Sequence, residues 1–352
     1  MLVSTVIVNY NGKSYLEPCL RSVFDSVHEG LEIIVADNGS SDRSVDYMKS
    51  AFATNYVQGN LKIIRNEENL GPAYARNQGV KIAKGEYVAF LDNDTKVDPN
   101  WLKNAIEVLR ADVSIGACQC KLIIDGTNII DCVGEYLGQN GFLVPIALAG
   151  EESDLGQYDI VQPIFAAKSA AMIVRKSVLD RIGGFDPDYF IYMEESDLCW
   201  RIWLQGYKVV LVPNCIVYHK FGTSSIILPE RINYLVKFHG TKNYILTLLK
   251  NLEVINMLKI LPVHVCLWMG IAFFFILKKQ VKSANFILRG ILWNFMHGKD
   301  TVAKRRAVQC RRLVKDKDIL PIIARRKPIS YFVRKLMGRK RVGHASGWDK
   351  GE

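Results

Sequence analysis

One stretch constrains this chain more than any other: the apolar run Tyr87-Val88-Ala89-Phe90-Leu91, which stops abruptly on Asp92-Asn93-Asp94. A short run with β-branched and aromatic residues among its members reads as a buried parallel strand that delivers charge at its carboxyl end. In an open α/β sheet, ligands bind in the crevice outside those ends. Alternation along an extended chain places Asp92 and Asp94 on one side and turns Asn93 away. Two hard oxygen ligands so placed suit Mg²⁺ or Mn²⁺, which favour a few carboxylates together with phosphate oxygens. The bland reading is a solvated turn, since Asp and Asn are common loop residues.

The flanking sequence repeats the theme. Val3 to Asn9 is a strand followed by a turn at Tyr10-Asn11-Gly12, and residues 13–27 show helical spacing with Leu16, Leu20, Val23 and Val27 on one face. Leu31 to Ala36 is a second strand, ending in Asp37-Asn38-Gly39-Ser40-Ser41-Asp42, with a helix cap expected at Ser41 or Asp42. A third strand, Leu61 to Arg65, precedes Asn69-Leu70-Gly71-Pro72 and a helix opened by Pro72 and closed by Gly85. Arg76 lies one turn into that helix, where it would face a phosphate or simply sit on the surface. Four alternations of strand and helix predict a parallel nucleotide-binding sheet.

A helix is expected from Pro99 to Ala111, then strands at about 115–124 and 128–133, a Gly-rich insertion with antiparallel pairing to 163, and a core strand from Phe165 to Val174. Glu194-Glu195-Ser196-Asp197 opens a further helix; acids there oppose the helix dipole, so charge compensation is the plain alternative to chemistry. Gly206 ends it, Val209 to Val212 continues as a strand, and Ile216 to Tyr218 forms a short one that delivers His219. A lone histidine is usually structural, but this one follows a strand as Asp92 and Asp94 do.

Taken in order, five segments resemble the family 2 glycosyltransferases over residues 3–225: Val6 to Asn11, Val35 to Asp42, Asn69 to Gly79, Phe90 to Asp94, and Glu194 to Arg201 trailed by Tyr218-His219. Within that family the chain looks most like rhamnosyltransferase- and galactofuranosyltransferase-type enzymes. The resemblance implies a GT-A fold, an α/β domain with a mostly parallel central sheet flanked by helices. It implies a nucleotide-diphospho-sugar donor held by Val8, Tyr10, Asp37, Asn69, Arg76, Asp92 and Asn93. It implies Mg²⁺ or Mn²⁺ on Asp94 and His219. The catalytic base falls on Glu195, where the commoner residue is Asp, with Glu194 and Asp197 as the alternatives. The expected reaction is inverting transfer to a hydroxyl of a glycan or lipid-linked acceptor in cell-envelope polysaccharide or glycolipid synthesis. The other readings are a polyprenyl-phosphate sugar synthase and a non-catalytic scaffold of the same fold.

Past the resemblance, the chain changes character. Residues 1–230 are expected to form the catalytic domain, 231–299 a membrane-associated helical region and 300–352 a basic tail. Ile260 to Leu277 are 18 uncharged residues, about 27 Å of helix against a hydrocarbon core of about 30 Å. A buried core helix is the alternative. Ala284 to Met296 is amphipathic, and no domain core is evident beyond Lys299. Residues 301–352 hold 16 Lys or Arg and 4 Asp or Glu, so they carry +12 of a total +11, and the first 300 residues are close to neutral. Anionic lipid, rather than nucleic acid, is the partner expected for that charge. The opening Met1-Leu2-Val3-Ser4 has no basic n-region, and the eight scattered cysteines show no CxxC pair and no zinc spacing. The expectation is a protein with reduced thiols on the cytoplasmic face of a membrane, with residues 250–296 as a re-entrant or interfacial hairpin.

Overall fold

The computed structural model describes residues 2–28, 30–220 and 229–326, with the side chains of 229–233 left out of account. Strands β1 (Val3–Asn9), β2 (Leu31–Asp37), β3 (Leu61–Arg65) and β4 (Tyr87–Asp92) form a parallel block in the order β3-β2-β1-β4. Helices α1 (Lys13–Phe24), α2 (Ser44–Ala51), α3 (Ala53–Val57) and α4 (Pro72–Ile82) connect them. Beyond β5 (Thr95–Val97) and α5 (Trp101–Ala111), the sheet continues through β6 (Ile115–Ile124), with β7 (Ile130–Cys132) antiparallel on its far end. A small sheet of β8 (Glu135–Gly138) and β9 (Leu143–Pro145) and the short β10 (Gln162–Pro163) follow. Then come β11 (Ala171–Arg175), antiparallel between β4 and β6, α6 (Lys176–Ile182), α7 (Glu194–Leu204) and β12 (Lys208–His219), parallel to β6.

Strand alternation builds a core on each face of the sheet. Val6, Ile34, Val88 and Phe90 point to the side covered by α4, α6 and α7. Val3, Ile7, Ile33, Val35, Ala89 and Leu91 point to the side covered by α1, α2 and α5. Burial on both faces is why these strands read as nearly continuous apolar runs.

Several local expectations are corrected. Helix α1 stops at Phe24, so Val27 stands 65% exposed instead of joining the Leu16–Leu20–Val23 face. Helix α2 starts at Ser44 behind Arg43 in a left-handed conformation (φ 62°), and the Asp42 carboxylate accepts from the Ser44 N–H at 3.0 Å. Helix α4 ends at Ile82, before Gly85, whose N–H donates to Ser4 Oγ. The expected strand from Phe165 to Val174 shrinks to Ala171–Arg175, because the Lys168 N–H donates to Gln119 Oε1 and the chain turns at 169–170 before entering the ladder. The two strands expected at 209–212 and 216–218 are one. Pro213, which has no N–H for the ladder, sits in a bulge between Val212 and Ile216.

The C-terminal part is helical: α8 (Pro229–Asn251), α9 (Val254–Leu277), α10 (Val281–Met296), α11 (Gly298–Arg311) and α12 (Asp316–Ile323), then β13 (Ala324–Arg325). Gly290 allows α10 to lie close on α8; a Cβ there would come within 2.8 Å of the Phe238 carbonyl oxygen. The absence of a core after Lys299 is also corrected. Ile319 and Ile323 are buried in the main core, and β13 pairs in parallel with β8. Basic residues around them masked this signal. The rest of the basic tail, from residue 327, lies outside the described residues.

Candidate active site

The register of the parallel block aligns its carboxyl ends, with Asn9 beside Asp37 and Val8 beside Asp92. Asp37 is fully buried, accepting from Asn9 Nδ2 at 2.7 Å and from the Ser40 N–H at 3.1 Å. Asn93 Nδ2 donates to Asn9 Oδ1 at 2.7 Å, which ties the β4 end to β1. Asn69 Oδ1 accepts from Asn38 Nδ2 at 2.9 Å and from the Gly71 N–H at 3.0 Å, fixing the entry to α4. Tyr10 is 43% exposed at the rim, and Val8 is the one partly open residue of β1. These residues line one side of the crevice.

The second side is a donor cluster. A carboxylate oxygen from each of Asp92 and Asp94 and a ring nitrogen of His219 lie within 4.8 Å of one another. His219 arrives there because β5 pairs antiparallel with the end of β12, opposing His219 to Thr95. Its Nε2 is 3.3 Å from Asp94 Oδ1, and its Nδ1 is 2.7 Å from Asp131 Oδ2. Burial lowers the imidazole's proton affinity, but hydrogen bonds to Asp131 and Asp94 outweigh it and push the pKa up to about 10. Two hard oxygens and one imidazole, with the far ring nitrogen held by a carboxylate, fit a divalent cation. Sequence reading missed Asp131.

The third side is the start of α7, every residue of which is buried. Arg76 reaches from α4 to bridge it to the sheet, 2.9 Å from Glu194 Oε1 and 3.0 Å from Asp92 Oδ1. Its side chain is 4% exposed and engaged by two carboxylates. Burial and the charge of Glu195 push the Glu194 carboxyl up to about 8, against the pull of Arg76. Asp197, an alternative base candidate, is held by partners on every side. It accepts from Tyr189 Oη, Arg201 and Asn251 and lies 3.0 Å from Lys250, fully enclosed. Burial notwithstanding, Lys250 and Arg201 hold its carboxyl well below the usual range. Glu195 keeps Oε2 without a partner, and its Oε1 is 3.6 Å from Lys168 Nζ, which also meets Glu135 at 3.1 Å. Lys168 and Glu135 were likewise missed, since they sat in segments read as a core strand and an insertion.

The family model described as "Glycosyl transferase family 2" matches residues 4–132, and "Glycosyl transferase family group 2" matches residues 87–232. An uncharacterized glycosyltransferase of Nostoc is 29% identical over 245 residues, 69% of this chain and 67% of that one. Seven further curated relatives are spanned over only 33% to 43% of their own length. Among solved structures, residues 1–349 of TarS from S. aureus superpose with a TM-score of 0.55 at 17% identity, covering 88% of this chain and 90% of that one. A mannosyltransferase from Pyrobaculum calidifontis, in complex with GDP-Man and Mn²⁺, gives 0.52 at 16% identity over 88% and 85%. At that identity the structures speak for the fold, which is GT-A.

Proposed function

We propose that this chain, which belongs to glycosyl transferase family 2 and is a glycosyltransferase, moves a sugar from a nucleotide-diphospho-sugar to an acceptor hydroxyl with inversion. The observation that carries this reading is Arg76, which binds Asp92 at the strand end and Glu194 at the helix start. It thereby places the cation-binding cluster and Glu195 on one crevice. Asp37, with the β1 end at Val8 and Tyr10, holds the nucleoside, and Asn69 and Asn93 fix the loops around it. Asp94 and His219 would hold the cation, with Asp92 beside them and Asp131 orienting the imidazole. A divalent cation there would neutralise the negative charge that grows on the leaving diphosphate.

In the transfer, the bond from the anomeric carbon to the diphosphate oxygen breaks as the bond to the acceptor oxygen forms. The hydroxyl proton passes to Glu195, and the nucleoside diphosphate leaves. Arg76 occupies Glu194, whereas Glu195 meets only Lys168 at 3.6 Å and is the member of the pair left to accept a proton. With one base and no second carboxylate nucleophile in the scheme, a single displacement inverts the anomeric centre.

The acceptor is a cell-envelope glycan or a lipid-linked one, and the sugar is of the rhamnose or galactofuranose type. Helix α9 is long and apolar enough to cross a membrane, with 11% of its apolar window buried. Helix α10 nevertheless returns to pack on both α9 and α8, so the chain doubles back after α9. Residues 254–299 contain six Lys or Arg and no Asp or Glu. Val254, Leu258, Phe273, Leu292 and Phe295 stand exposed along the pair. This supports a hairpin lying on the cytosolic leaflet with its basic residues at anionic headgroups. The test is a panel of nucleotide sugars with Mn²⁺, read by thermal shift and then by product analysis. The reading expects one donor class to stabilise the protein and to yield an inverted glycoside. Retained anomeric configuration in the product would overturn the mechanism.

A further inference from the structure

The segment that presents Glu194 and Glu195 is held by α8, a helix that runs mostly beyond residue 232, where the matches to the two family models end. Phe190, Tyr192 and Met193 all have positive φ (59°, 68° and 68°), a conformation that side chains with a Cβ adopt rarely. Three such residues within four positions do not persist unless their surroundings impose them. Some of the support comes from α4: a Cβ on Gly71 would meet the Phe190 ring at 2.7 Å, so glycine there makes room for that ring. The rest comes from α8. Asn243 is fully buried, and its Nδ2 donates to the carbonyls of Tyr189, Ile191 and Tyr192 at 2.9, 2.8 and 2.7 Å. Its Oδ1 has no partner, so the residue acts through its amide hydrogens alone. A flipped amide would set oxygen against three carbonyl oxygens, which fixes the assignment.

The same helix flanks the segment on both sides. Thr247 Oγ1 is 2.8 Å from Tyr189 Oη, and Asn251 and Lys250 secure Asp197 one turn into α7. We infer that Asn243 is a positioning residue: by gathering the three carbonyls it holds the left-handed segment that aims Glu195 at the crevice. Helix α8 is thereby part of the catalytic apparatus, although Asn243 meets no reacting atom. The inference rests on the reading of Glu195 as the base.

The test uses the full chain with Asn243→Leu and the isosteric Asn243→Asp. Hydrogen–deuterium exchange of the amides at 189–197 needs no substrate. It should speed up at least about tenfold in both variants while β1 and β4 keep their protection. Mn²⁺ affinity, measured by electron paramagnetic resonance with the metal alone, should stay within about twofold. With the donor chosen from the panel, kcat should fall by about 10–100-fold while the donor KM holds, as expected when a reacting group is misplaced by an ångström or less. Wild-type exchange at 189–197, or wild-type kcat, in either variant overturns the inference. A wild-type protein that binds no Mn²⁺ and turns over no donor sinks the reading of the site instead, and the exchange result still decides the role of Asn243.

Discussion

Asp92 and Asp94 stand at and just beyond the end of β4 and Asp131 lies within β7, while Glu194, Glu195 and Asp197 open a helix that is buried along its whole length. The first group shares one histidine between two of its acids, and no lysine pairs with Asp94 or Asp131 among the described residues. The second group comes with its own cations: Arg76 at Glu194, Lys168 near Glu195, Arg201 and Lys250 at Asp197. Acids of one kind therefore have opposite needs. Among the described residues Asp94 and Asp131 have only His219 as a charge partner and gain from a bound cation, whereas Asp92 shares Arg76 with Glu194 and the helix set is compensated by the chain's own residues. Within α7, environment divides the labour again, since Asp197 is enclosed on all sides and Glu195 retains an unpartnered oxygen.

The contrast is tested most strongly at α7. Glu195→Gln keeps the shape and removes the basicity, so turnover should fall by ~10²–10⁴-fold while nucleotide-sugar affinity persists. Normal turnover in that variant, measured by release of nucleoside diphosphate, would remove Glu195 from the chemistry. Asp197→Asn should instead lower stability, because it leaves Arg201 buried without its charge partner and Lys250 with Asp186 alone, a loss of about 3–5 kcal/mol. Thermal melting reads it. The sign with pH follows from the depressed carboxyl. Its stabilisation is fully present above the ordinary aspartate value of about 4 and is lost as pH falls below it. The wild type should therefore lose melting temperature on acidification over that range more steeply than Asp197→Asn does.

At the strand ends the expected effects are smaller. Asp131→Asn should weaken Mn²⁺ binding by about 10–100-fold through the orientation of His219. Unchanged affinity by electron paramagnetic resonance would make Asp131 a bystander. Smallest of all, Phe295→Ser should reduce co-sedimentation with anionic vesicles by a few-fold and leave neutral vesicles indifferent. Cysteine labelling near residues 240 and 345, in sealed vesicles and on a cysteine-free background, should report the same side. Labelling from opposite sides would mean that α9 crosses the bilayer once.

Much of the parallel block was legible because burial on both faces leaves an apolar run with an abrupt polar end. Val3–Asn9, Leu31 to Ala36 and the acids after Leu91 are read that way. The partners of those acids were less visible. Asp131, Glu135 and Lys168 reach the crevice through antiparallel pairing and turns between elements distant in sequence, for which local spacing carries no signal. Arg76 read as a free cation because its partners lie 16 and 118 residues away. The C-terminal packing was hidden for a compositional reason: Ile319 and Ile323 lie among basic residues that dominate any local reading.

The measurement that bears most directly on the account is the rate of nucleoside diphosphate release as a function of Mn²⁺ concentration in the wild type, His219→Ala and Glu195→Gln. The account predicts a higher half-saturating Mn²⁺ for His219→Ala, since a ligand of the cation is gone. It predicts an unchanged half-saturating Mn²⁺ and a collapsed plateau for Glu195→Gln. Wild-type turnover that persists in excess EDTA would contradict it.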